Sequence, residues 1–153
     1  MKRVNPFFAL ALAAIGITGA VACNAPGQAE LSSNGKQIFT AATSQRGTPI
    51  TSDIRTGMMM GNATVACASC HGPDGRGAHV QMMTGSVDAP DIRYATLTSG
   101  HMQDHPAYTD ETIKRAITLG IDPGGKALQA PMPHWTMSAD DLNDVVGYLK
   151  TLN

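Results

Sequence analysis

At 153 residues the chain has the length of one domain, and its formal net charge of −1 excludes the basic surface of a nucleic-acid binder. Aromatic residues make up only 5% of it, while Gly, Pro and Met number 16, 9 and 9. That is thin material for a self-sufficient apolar core, and it points to something besides side chains in the middle.

Met1-Lys2-Arg3 is followed by an almost uncharged apolar stretch from Phe7 to Val21 and then by the small residues Ala20-Val21-Ala22, the layout of a signal peptide. The stretch is short of the roughly 20 apolar residues that a membrane-spanning helix needs. Export is therefore expected, to the periplasm or to a membrane surface facing it. Two cuts compete. Ala20-Val21-Ala22 suits a general signal peptidase, whereas Ala20-Val21-Ala22-Cys23 resembles a bacterial lipobox with Ala20 where Leu is usual. The balance favours a lipoprotein with a lipid anchor at Cys23. Loss of residues 1–22 strips Lys2 and Arg3 and leaves the chain more acidic. Residues 23–33 read as a linker and 34–153 as the domain.

The pattern predicts a short helix over 34–42, with Asn34 as its cap, Gly35 in its first turn, and Ile38, Phe39 and Ala42 on one side. A glycine there signals either a backbone passing close by or a frayed helix start. Residues 43–66 show no sustained period, contain Gly47, Pro49, Gly57 and Gly61, and read as an irregular excursion carrying Met58-Met59-Met60. A short helix is expected to start near Thr64 and to carry Cys67 and Cys70, with loop from His71 through Gly85 to Ala89-Pro90-Asp91. Thr109 caps a helix with Asp110 and Glu111 in its first turn, Ile113, Ala116 and Ile117 inward and Gly120 at its end. Asp122-Pro123-Gly124-Gly125 is a turn. The last helix starts at Ser138, and Leu142, Val145, Val146, Leu149 and Leu152 recur along it at helical spacing.

Two of the three cysteines stand in Cys67-Ala68-Ser69-Cys70-His71, the spacing of c-type haem attachment. The thiols add across the two haem vinyl groups, and the adjacent His71 is then held within reach of the iron. Three other readings compete. A redox-active Cys-x-x-Cys pair wants a βαβ setting, but the turn-rich Gly72-Pro73-Asp74-Gly75-Arg76-Gly77 follows. Cys67, Cys70, His101 and His105 would make a four-ligand zinc set, across a long gap and with Pro106 after the last ligand. A plain disulfide is the third.

With Cys67-x-x-Cys70-His71 near its middle, Pro131-Met132-Pro133 later and an amphipathic helix ending in Tyr148-Leu149, the chain resembles the class I cytochromes c from about Gly35 to Leu152. The resemblance implies an all-α fold of three to five helices around one covalent haem c, with long irregular loops. It implies Met132 as the second axial ligand beside His71, and a crossing of the first and last helices at Gly35, Phe39 and Tyr148. Pro90 is the match for the carbonyl that orients the proximal histidine. Trp135 fits either a bond from its indole N–H to a haem propionate or a plain place in the core. One departure stands out: the family runs almost directly from its first helix into the haem motif, whereas residues 43–66 intervene here. Among the competing ligands, Met58, Met59, Met60, Met82, Met83, Met102 and Met137 read as filler or surface. His134, two residues from Met132, offers a bis-histidine alternative. The implied function is single-electron transfer between a redox-protein donor and acceptor, with both axial positions filled and no catalysis. The rival is an envelope metal-binding protein holding zinc, or copper on its methionines and histidines. A haem enzyme or gas sensor would need Met132 off the iron.

Overall fold

The computed structural model describes residues 28–53, 64–82, 85–100 and 105–153, with side chains from residue 33 on. Expectations about the signal stretch, Cys23, Met58 to Met60, Met83, His101 and Met102 lie outside the described residues.

Helix α1 runs Gln28–Ala41, so it begins within the expected linker, six residues before Asn34. Ile38, Phe39 and Ala42 are buried, as their spacing implies. They pack on α5, Ala139–Leu149, whose Val145, Val146, Tyr148 and Leu149 are buried in the same cluster. The Phe39 and Tyr148 rings sit 5.3 Å apart in a tilted pair. At the crossing, a Cβ added to Gly35 would lie 2.0 Å from the Asp144 carbonyl oxygen. Close backbone approach, rather than fraying, accounts for that glycine.

Asn34 is not a cap. It lies inside α1, where its amide donates to Asp141 Oδ1 at 2.9 Å and to Asp144 Oδ2 at 2.6 Å. Both aspartates are almost inaccessible, at 0% and 1% exposure. A buried carboxylate is tolerated only when its oxygens are hydrogen-bonded. The excursion supplies the partners: Ser44 donates to Asp141 at 2.7 Å, Thr48 also donates to Asp141, and the Arg46 guanidinium bridges both acids. These bonds pin residues 44–48 across the α1–α5 crossing.

Helix α4, Asp110–Leu119, starts and ends as expected. Thr109 and Thr112 form a reciprocal capping box, and Gly120 closes the helix in the left-handed conformation. Ile113, Ala116 and Ile117 complete the core. Ser138 caps α5 by accepting from Asp141 N at 3.1 Å. Two further short helices, α2 at Ala68–His71 and α3 at Tyr94–Thr98, lie between. The helix expected from Thr64 begins only at Ala68.

The fold is largely helical, but the all-α expectation needs correcting, because two small antiparallel sheets are present. Strands β2, Ala78–Met82, and β3, Gly85–Ala89, form a hairpin where continuous loop was expected. Only alternate hairpin positions are partly buried, including Val80 and Val87, too few apolar residues to announce a strand. Strands β1, Thr51–Ser52, and β4, Trp135–Thr136, pair as Thr51 with Thr136 and Ser52 with Trp135. No helix among the described residues is long and apolar enough to cross a membrane.

Candidate functional site

Helix α2 is a single turn. Its Cys70 N–H and His71 N–H both return to the Cys67 carbonyl, at 3.2 and 2.9 Å, and this brings Cys67, Cys70 and His71 to one cavity of about 540 Å³. That volume falls within the range of sites that enclose a small organic cofactor. Its walls are apolar, with Phe39, Ile113, Ile117, Val145 and Leu149 contributed by three helices.

His71 is 6% exposed, and its Nδ1 lies 2.8 Å from the Pro90 carbonyl oxygen. A carbonyl only accepts, so Nδ1 carries the proton and Nε2 is left with the lone pair. Burial pushes the imidazole pKa down, and the Pro90 bond offsets part of the effect. The ring is thus a neutral donor with one fixed tautomer. Gly77 makes the arrangement fit: at φ +87°, a Cβ there would meet the Ala89 oxygen at 2.3 Å and the Pro90 carbonyl carbon at 2.8 Å. The turn-rich loop after His71 is therefore specific backbone packing, and the signal for it was a glycine whose neighbour the sequence does not reveal.

Cys67 and Cys70 are unbridged. Burial raises both thiols, Cys67 to about 12, so neither is the stabilised thiolate of a redox-active pair. For the zinc reading, His101 lies outside the described residues, and the Nδ1 of His105 faces the Pro106 carbonyl at 2.8 Å. Among the described residues no group of three or more His, Cys, Asp and Glu could hold a metal ion.

Met132 lines the same cavity as His71, flanked there by Pro131 and Pro133. Met82 lies on the hairpin and Met137 packs against the core, neither lining the cavity. Met132 is thus the one thioether that the described residues offer. His134 does not line the cavity. Its Nδ1 pairs with Asp53 Oδ2 at 3.0 Å and its Nε2 edge covers Gly120, which removes the motive for a bis-histidine site. Trp135 is buried and its ring lines the cavity, while its indole N–H donates to the Val65 carbonyl at 2.9 Å, in keeping with the core alternative. His105, expected only as a zinc ligand beside Cys67 and Cys70, also lines the cavity, as does Tyr108, which nothing in the sequence pattern had singled out.

Residues 32–153 match the family model for cytochrome c. The chain belongs to the cytochrome c family. No curated protein matches the chain to place it more finely. The cytochromes c bind covalently attached haem c, and this one is a haem-based electron-transfer protein. Its residues fit that group. Two unbridged thiols at the required spacing, an imidazole with its Nε2 lone pair available, a thioether and apolar walls share one cavity. Such a donor set suits iron in an organic macrocycle better than a bare ion, because most of the lining offers no ligand at all.

Proposed function

We propose that the protein is an exported mono-haem cytochrome c that passes single electrons between two redox proteins, with His71 and Met132 as axial ligands. Cys67 and Cys70 would hold the haem through thioethers, and Pro90 would orient His71. The observation that carries the reading is the convergence of His71 and Met132 on one cavity that no other described methionine lines. Once bound, haem c supplies an iron that gains and loses one electron. His71 and Met132 would hold the iron and so deny it to substrates, while Phe39, Ile113 and Val145 would keep water from it. A neutral thioether favours ferrous iron and raises the reduction potential, as a respiratory carrier needs.

The test is Met132→Ala in the full-length holoprotein. The ferric wild type should show the weak near-infrared charge-transfer band of a thioether ligand. The variant should lose that band, fall in potential and bind carbon monoxide, with its haem still covalently attached. A wild type that binds carbon monoxide readily, or a variant with an unchanged spectrum, would remove Met132 from the iron.

Export and tethering rest on residues 1–23 alone. Cys23→Ser should leave the haem in place and release the protein from the membrane fraction. Loss of haem in that variant would contradict the division of the three cysteines into two thioethers and one lipid anchor.

A further inference from the structure

The two described legs of the 43–66 excursion hold the Met132 loop between them. On the first leg, Thr51 and Ser52 pair with Thr136 and Trp135. Asp53 then closes on His134 three times. Its Oδ1 accepts from His134 N at 2.8 Å, its Oδ2 lies 3.0 Å from the ring Nδ1, and its own N–H donates to the His134 carbonyl at 3.1 Å. On the second leg, the Val65 carbonyl accepts from Trp135 Nε1 at 2.9 Å. The legs are tied together by Thr64 Oγ1, which donates to the Ile50 carbonyl at 3.1 Å.

The bonds made to the loop itself fall on residues 134–136, immediately beyond Met132 and the buried Pro133. Proline fixes φ, so an anchor at His134 is transmitted to Met132 through a stiff link. The methionine side chain packs against the core, but its backbone has little hydrogen-bonded hold of its own. Its backbone N–H reaches the Gln129 carbonyl at 3.4 Å, long for a hydrogen bond.

We propose that Asp53 is a positioning residue for Met132: by clamping His134 it sets how often the thioether leaves the iron. The proposal rests on Met132 being the ligand. The charge of His134 has no part in it, since the Asp53 oxygen accepts the backbone N–H whatever the state of the ring.

The test uses the ferric holoprotein and imidazole, which enters the iron only when Met132 has left. At saturating imidazole the rate of entry reports that departure. Asp53→Ala should raise it about tenfold, equivalent to ~1.4 kcal/mol at 25 °C. Asp53→Asn keeps an acceptor oxygen for the His134 N–H and should stay within about threefold of wild type, on the tenfold-per-1.4 kcal/mol scale. Arg46→Ala, which frees the excursion at the α1–α5 crossing instead, should lower the urea midpoint and leave the imidazole rate alone. A wild-type rate in Asp53→Ala, alongside fast entry in Met132→Ala, would overturn the positioning role and spare the ligation reading. Equal rates in Met132→Ala and wild type would overturn both.

Discussion

Gly35→Ala tests the helix crossing on which the core depends, and it does so through the sign of the effect. In an ordinary helix interior the change stabilises by about 1 kcal/mol, because glycine is the poorer helix former. Here the new Cβ would lie 2.0 Å from the Asp144 oxygen, 2.6 Å from its carbonyl carbon and 2.8 Å from Tyr148 Cβ, where ordinary contact begins near 3.4 Å. Two of the three atoms are backbone of α5 and cannot rotate aside, so the helices must separate by about 1 Å or more. Overpacking of that kind costs about 1–3 kcal/mol and sometimes more. The separation also stretches the Asn34 bonds to Asp141 and Asp144, each contributing about 1 kcal/mol. Set against the propensity gain, a net loss of about 2–4 kcal/mol remains, a large share of the roughly 5–15 kcal/mol that holds a small domain. Urea unfolding followed by far-ultraviolet circular dichroism reads it directly. With a slope of about 1–3 kcal/mol per molar, the midpoint should fall by about 0.7–4 M. An unchanged or higher midpoint would refute the close crossing.

Two more outcomes follow from the polar groups. Burial pushes the Asp141 carboxyl up, but hydrogen bonds from Thr48, Ser44, Ser138 and Asn34 together pull it well below the ordinary value of 3.8. A depressed carboxyl contributes stability that is complete above that ordinary value and is lost as the pH falls below it. Asp141→Asn should therefore cost about 2 kcal/mol at pH 7 and flatten the acid limb of stability against pH. Urea titrations at neutral and acid pH check this, and an acid limb as steep as the wild type's would show that other groups govern it. Trp135→Phe deletes the N–H that Val65 accepts and should cost about 1 kcal/mol, read as a lower urea midpoint; an unchanged midpoint would show that this bond adds nothing to stability.

The attachment motif was legible because covalent chemistry requires particular residues at a particular spacing, and Cys67, Cys70 and His71 declare themselves without a fold. Helices α4 and α5 were legible for a different reason: caps at Thr109 and Ser138 and a clear apolar face leave local signals that tertiary contacts did not override. The start of α1 was misplaced because Asn34 is as good a cap by type as it is a buried hydrogen-bonding residue, and only the acids on α5 distinguish the two. Nothing in the sequence marked Asp141 and Asp144 as buried. Their partners come from residues 44–48, nearly a hundred positions away, and no periodicity reports such a pairing. The hairpin and the Asp53–His134 clamp were missed for the same reason, since short strands and single side-chain anchors exist only as pairings.

The two sides of the cavity are held by one device used twice. His71 is oriented by a carbonyl on Pro90, and that carbonyl comes close only because Gly77 has no side chain. Met132 sits beside Pro133 in a loop whose far end is fixed by hydrogen bonds to Asp53, Ser52 and Val65. In each case a group from a distant stretch of chain holds the donor side: the Pro90 carbonyl holds the His71 ring directly, and the Asp53 clamp on His134 acts on Met132 through Pro133. An electron carrier benefits from this stiffness. On the proposed ligation, His71 and Met132 would hold the iron without rearranging when its charge changes, in a cavity lined largely by apolar groups that respond weakly to that charge. The excursion over 43–66 therefore belongs with the site: one end is locked to the buried acids of α5, the other lies against the loop that presents Met132.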